Sequence, residues 1–215
     1  MARKKAYHHG NLRQALIDAA FELIEERGVS ALTLREVARR VGVTHAAPKR
    51  HFADRGALVA ALAEQGFRGL AAHVEAVRSS RQPRDSAERL RALGVAYIEY
   101  AIAHPAHLRV MFSPEIVDKS RYPDLQRAAD AVHDMLHGGI EQAQRDGLLS
   151  RGDPNALAFA AWSMVHGCAT LLIDGQARQT PVRTLIDSAV KTLHEGLDAR
   201  APETVTRRAG RRARR

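Results

Sequence analysis

Apolar residues along this chain recur at intervals of three and four, the spacing of helices rather than strands. Between residues 11 and 27, Leu12, Ala15, Leu16, Ala19, Ala20, Leu23 and Ile24 form the stripe of an amphipathic helix. Gly28 follows, a residue that accepts the left-handed conformation just past a helix end. Thr33 and Glu36 have capping-box spacing, which starts a second helix near Leu34 with Val37, Ala38 and Val41 facing inward. Gly42 breaks this helix, and Thr44 is an N-cap type for a third. Two short helices joined by a Gly-containing turn have helix-turn-helix spacing. Further stripes cover 57–78, then 85–103 beyond a linker at 79–83, a short apolar segment at 108–112, and 123–146, 153–175 and 180–199. Asp85 with Glu88, Pro123, Asp153 with Pro154, and Thr180 with Pro181 mark the starts; Gly147 marks a stop. The expected fold is all-α with about nine helices, three in an N-terminal helix-turn-helix domain and about six in a larger C-terminal helical domain.

Composition agrees, since 45% of the 215 residues are apolar but only 5% are aromatic, and β-branched residues never alternate over a long run. The formal net charge of +9 is uneven. Residues 1–60 carry 11 basic and 6 acidic side chains, residues 61–199 carry 15 and 17, and residues 200–215 carry 7 and 1. Positive charge confined to the first quarter and a short tail points to a polyanion-binding module joined to a near-neutral body, nucleic acid being the natural polyanion. An Arg-rich composition that serves solubility is the plainer alternative. One cysteine allows no intrachain disulfide and no paired zinc ligands. Met1 to Lys5 is basic, yet His8, His9 and Gly10 stand where a signal peptide needs apolar residues. The apolar stretch 156–173 is interrupted by Ser163, His166 and Gly167 and reads as a buried helix rather than a bilayer span. A cytoplasmic protein is expected.

In a helix-turn-helix the first short helix braces across the DNA backbone while the second enters the major groove. Residues near Thr44 then reach base edges. Lys49, Arg50, His51 and Arg55 cluster just beyond, where positive charge meets phosphates, with Phe52 as an apolar anchor between them. Pro48 complicates this. Four residues past Thr44 its missing N–H removes an internal hydrogen bond and its ring crowds the turn, so the third helix is expected to have a distorted or delayed first turn with Pro48 acting nearer to an N1 residue.

The N-terminal residues resemble the tetracycline-repressor (TetR) family of bacterial transcriptional regulators. The resemblance rests on Ala19-Ala20-Phe21, Leu23, Gly28, the run from Thr33 to Ala38, Val41-Gly42-Val43-Thr44, and His51-Phe52-x-Asp54-Arg55-x-x-Leu58. It implies DNA contacts at Thr33, Thr44, His45, Lys49, His51 and Arg55. Pro48-Lys49 departs from the family's usual Leu-Tyr pair, and Lys49 offers a phosphate a point charge without an aromatic ring. The implied organisation is a DNA-binding domain at 1–56 with a flexible basic arm at 1–9, an effector-binding and dimerisation domain at 57–200, and a basic, disordered tail at 201–215. Arg3, Lys4, Lys5, His8 and His9 either order on DNA as an arm or stay disordered.

Trp162-x-x-x-His166-Gly167 resembles the C-terminal domain of a TetR subgroup bearing this signature, in which the last two long helices pair across a dimer axis. Gly167, Ala169 and Ala160 supply a small-residue face, and Leu171, Leu172 and Ile173 apolar area, for a homodimer; Leu193 is placed at the same interface. A packed intrachain core is the alternative use of these residues. Tyr97, Tyr100, Leu108, Met111, Phe112, Met135, Phe159, Trp162, Met164 and His166 are concentrated in the middle helices, and all but Leu108 and Met164 are assigned to a small-molecule pocket, against a core-packing alternative. His133 and His137 lie at i, i+4 without an evident third metal ligand, and Cys168 reads as a small apolar residue. No metal or cofactor is expected. No G-x-S-x-G, P-loop, dinucleotide fingerprint or H-E-x-x-H is present, so no catalytic residue is assigned and an enzyme is not expected. The expectation is a sequence-specific, dimeric repressor released from a palindromic double-stranded DNA operator by an unknown small-molecule effector. An activator of the same architecture and a nonspecific nucleic-acid-binding protein are the alternatives.

Overall fold

The computed structural model describes residues 11–115, 119–177 and 179–197. Eight α-helices carry the fold: α1 Leu12–Arg27, α2 Leu34–Val41, α3 Arg55–Arg81, α4 Ser86–Ala103, α5 Pro105–Met111, α6 Pro123–Arg145, α7 Pro154–Ile173 and α8 Val182–Leu197. Their starts are set by local chemistry. Side-chain oxygens of Asn11, Thr33, Asp54, Asp85 and Asp153 each accept a backbone N–H from the first turn they precede, which satisfies donors that a helix start otherwise leaves unpaired. Gly42 closes α2 at φ 80, ψ 31, a left-handed conformation that a side chain would strain.

Three boundaries differ from the sequence pattern. α3 runs through Ser79 and Ser80, which the pattern leaves in a linker, and ends where Gln82 turns left-handed at φ 44 just before Pro83. The short apolar segment at 108–112 belongs mostly to a helix that begins at Pro105, because proline at N1 starts a helix as well as stopping the previous one. The third helix of the head is not an α-helix, so the described residues hold eight α-helices where about nine helices are expected.

α4 lies at the centre of the body and packs against α3, α6, α7 and α8. One continuous buried cluster runs from Leu16, Leu23 and Ile24 of α1 through Leu58, Leu62 and Leu70 of α3 to Ile98 of α4, Met111 of α5 and Val190 of α8. The expected boundary at 56/57 therefore falls inside the first turn of α3, with no linker between head and body. α3 approaches its neighbours closely because Gly66 and Gly69 lack side chains: a Cβ on Gly66 would come within 2.7 Å of Met111 Cγ, and one on Gly69 would overlap the Tyr100 hydroxyl.

The expectation that the 156–173 stretch is buried holds for one face only. Ala158, Ala161, Val165 and Ala169 of α7 pack inward, whereas Phe159 is 66% exposed and Leu171 58% exposed, with Met164 also outward. α7 is apolar all round but the chain covers only one side of it, which leaves an apolar strip of the kind that proteins cover with a partner. The basic arm and the Arg-rich tail lie outside the described residues.

Candidate nucleic-acid interface and ligand cavity

The head presents its candidate reading segment on the surface. Thr44, His45, Lys49 and His51 are exposed, and Thr33 at the start of α2 is exposed as well. Instead of an α-helix starting at Thr44, a turn closes from the Ala47 N–H to the Thr44 carbonyl at 3.0 Å, and a single 3₁₀ turn follows at Pro48–Arg50. Ala47, not Thr44, is its N-cap, and Pro48 sits in the first turn with its ring buried. This is the delayed start expected from proline, whose missing N–H costs nothing at the head of a helix. The Pro48 carbonyl then accepts from both His51 N and Phe52 N at 2.9 Å, turning the chain so that Phe52 drops into the core. Arg13 of α1 lies 5.5 Å above the Phe52 ring.

Not every cation of the head is available. Arg39 pairs with Glu36 at 2.6 Å and holds that carboxyl below its usual range, while Arg40 ties α2 to Glu22 at 3.5 Å and to Glu26 of α1. Arg55, expected at a phosphate, is engaged within the chain. It donates from Nε to the Leu32 carbonyl at 2.5 Å and from Nη2 to the Val29 carbonyl at 2.8 Å, and its third arm pairs with Glu115 beyond α5. All three directions of its guanidinium engage protein groups, linking the α1–α2 connection to the body. Arg35, Lys49 and Arg50, by contrast, are exposed and make no ion pair among the described residues. Arg35 was not singled out from sequence, since it sits within a helical motif whose other residues pack or cap.

Behind this link, α1 rests on α5 through Phe21 and His107, whose ring centres are 4.1 Å apart. The Tyr100 hydroxyl donates to the Gly66 carbonyl at 3.1 Å and lies 2.7 Å from His107 Nδ1. Burial, aided by nearby His104, pushes the His107 imidazole down to about 4, and burial pushes the Tyr100 phenol up to about 12. Both groups are therefore neutral at physiological pH.

A cavity of about 390 Å³ opens between α3, α4, α6, α7 and α8. Four of the residues expected in a pocket line it: Tyr97, Phe112, Phe159 and Trp162. Tyr100 and Met111 do not, because they face α3, against Gly69 and Gly66; Met135 borders a separate hollow beside Val74 and Leu90. His166 stands behind the wall, its Nδ1 2.7 Å from the Tyr97 hydroxyl and its ring 4.7 Å from Phe112 and 5.2 Å from Trp162. Burial lowers the His166 pKa and raises that of Tyr97, so the pair is a neutral hydrogen bond bracing an aromatic wall. Arg91, Lys119, His133, Asn155 and His194 also line the cavity, polar side chains that no aromatic or Met pattern marks.

The expected interface residues divide. Leu171 is exposed, and a Cβ on Gly167 would meet nothing within 4 Å, so both lie on the open strip of α7. Ala169 is fully buried within the chain, and Leu193 is partly buried and lines the cavity. His133 and His137 stack at 5.8 Å, with carboxylates of Asp134 and Glu141 beside them. Cys168 is half-buried and its thiol is pushed up by that burial, in keeping with a small apolar residue.

Comparison with known proteins bears on both halves. Residues 16–62 match the model described as bacterial regulatory proteins, tetR family, and residues 90–195 match the tetracyclin repressor-like C-terminal domain. The chain belongs to the tetR family. Within that family it is similar to the HTH-type transcriptional regulator SrpR of Pseudomonas putida, 48% identical over 52 residues that span 24% of each chain. The match thus covers about a quarter of that relative. A solved protein of unknown function from Rhodococcus sp. RHA1 is similar throughout, with 35% identity, 91% of this chain and 100% of that one covered, and a TM-score of 0.76. The regulator FadR of Bacillus subtilis, solved in complex with stearoyl-CoA, shares the tetR-family fold at 15% identity and TM-score 0.70, over 86% of this chain and 98% of that one.

Proposed function

We propose that this tetR-family chain is a homodimeric, sequence-specific DNA-binding repressor that leaves a palindromic operator when a small molecule fills the α3–α8 cavity. The observation carrying this reading is the pairing, in one continuous core, of an exposed helix-turn-helix segment with an aromatic-walled cavity. Thr44, His45, Lys49 and His51 stand free at the surface, so the segment can meet a groove without rearranging. Lys49 is the phosphate contact and His45 the base reader, with Thr33 contacting the backbone at the amino end of α2. The strip of Phe159, Met164 and Leu171, flanking Gly167, supports a dimer through α7. A twofold pair places two heads on half-sites about 34 Å apart, whereas one head reads half an operator. Trp162, His166 and Gly167, which brace the cavity wall and open the strip, support assignment to the Trp-x-x-x-His-Gly subgroup. Such a protein acts in the cytoplasm, where its operator lies. Ligand binding lowers operator affinity by its preference for a dimer whose heads are wrongly spaced.

The test is selection of genomic fragments by the purified chain, followed by footprinting. A protected inverted repeat whose occupancy falls on adding the cognate small molecule supports the reading; uniform binding to all duplex DNA overturns it. Transcription from that promoter with and without effector separates repression from activation.

A further inference from the structure

The cavity is electrostatically one-sided. Among the described residues that line it there is no aspartate or glutamate, while Arg91, Lys119, His133 and His194 all do. Lys119 matters most. It is half-buried, its ammonium lies 5.1 Å above the Phe67 ring inside the aromatic wall, and it makes no ion pair among the described residues. A ring face attracts a cation only modestly, so a partly desolvated ammonium held there still lacks the anion that would compensate it. Of the polar groups beside it, the Tyr97 hydroxyl is already engaged by His166 Nδ1 at 2.7 Å. Most of the remaining lining is apolar, including Leu90, Leu93, Val132, Leu136, Phe112 and Trp162.

Resting on the reading of this cavity as the effector site, we infer that its ligand is an apolar monocarboxylate whose carboxylate pairs with the Lys119 ammonium. A cationic ligand would meet the Lys119 ammonium with no carboxylate on the described lining to offset it. A neutral apolar ligand would displace water from Lys119 and return no hydrogen bond, which is the costly way to bury a charge. A carboxylate on an apolar body satisfies both: the head forms a charge-assisted hydrogen bond, and the body fills the aromatic wall. A 390 Å³ volume holds either a medium-length aliphatic acid or a two-ring aromatic acid.

The experiment uses the full chain at pH 8 with two pairs of probes, decanoate against decan-1-ol and biphenyl-4-carboxylate against biphenyl-4-methanol. Trp162 is the only tryptophan, so its emission reports the cavity for the aliphatic pair; calorimetry serves the aromatic pair. Each acid is expected to bind at least tenfold more tightly than its alcohol. In Lys119→Met the acid loses that advantage while the alcohol binds as before, and Lys119→Arg restores it. Which acid binds more tightly tells the two sources apart, and either order supports the proposal. Alcohols binding as well as acids, or a preference that survives Lys119→Met in a variant of unchanged melting temperature, overturns the carboxylate inference and leaves the cavity as a binding site. Absence of binding by all four probes overturns it too. Acids that bind through Lys119 yet leave operator affinity unchanged support the anion site and refute instead the reading of the cavity as the effector site.

Discussion

Arg55→Ala distinguishes a latch from a DNA contact. The wild-type guanidinium donates to the Leu32 and Val29 carbonyls and pairs with Glu115, with Arg55 and Glu115 side chains 33% and 38% exposed. At that exposure each carbonyl bond contributes about 1 kcal/mol and the ion pair about 0.5–1 kcal/mol, so removal costs about 2–3 kcal/mol. For a chain of this size that is a fall in melting temperature of roughly 5–10 °C. DNA binding responds differently. A side chain that neutralises a phosphate contributes about 0.9 to the slope of log affinity against log salt, hence about 1.8 per dimer. Arg55→Ala is expected to melt early and bind the operator more weakly, with its salt slope unchanged. Lys49→Ala is the mirror image, with an unchanged melting temperature and a slope smaller by about 1.8. Thermal unfolding by circular dichroism and fluorescence-anisotropy titrations at four salt concentrations provide both numbers. An Arg55→Ala protein that melts within a degree of wild type and loses the Lys49-like increment of slope would refute the latch.

His45→Ala should relax preference at particular base pairs while affinity for random duplex stays within about twofold, measured by competition with single-base operator variants. Gly69→Ala drives a methyl into the Tyr100 hydroxyl and should cost about 1–3 kcal/mol by urea unfolding, with Tyr100→Phe recovering part of the loss. His107, held near 4 in the fold, keeps its proton off while the unfolded imidazole takes one near 6.5. Its contribution is therefore intact above pH 6.5 and drains away as pH falls from 6.5 towards 4; urea midpoints across that window should drop more steeply for wild type than for His107→Gln. Leu171→Glu puts a charge on the open strip of α7 and should shift the chain to monomers in sedimentation velocity while its melting temperature moves by less than about 3 °C; an unchanged dimer would place the interface elsewhere.

What could be read from the amino acids divides along physical lines. Caps were legible because they are local: Thr33 with Glu36 and Asp85 with Glu88 specify their own backbone bonds within three residues. Pro48 was legible for the same reason, since a missing N–H is a covalent fact. The contacts of Arg55 are not legible because its partner Glu115 is sixty residues away, and a cation at that position looks the same whether it faces a carbonyl or a phosphate. Tyr97 and Tyr100 lie three residues apart on α4 but face different neighbours, one towards α7 and the other towards α3, and only the packing of α4 between them decides which borders the cavity. Lys119 escaped notice because a lone lysine in a polar stretch carries no periodic signal, and its place over the Phe67 ring is set by tertiary structure alone.

Because α1 buries Phe21 against His107 and shares its apolar cluster with Met111 and Tyr100, the DNA reader is not an interchangeable cartridge. A graft of residues 11–54 from a relative onto this body would inherit its groove-facing surface but arrive with the wrong underside, and the mismatch would fall on the joint that has to carry the effector's signal. Swapping operator preference in this lineage therefore calls for surgery confined to the exposed Thr44–His51 turn, or else for moving α5 together with the head.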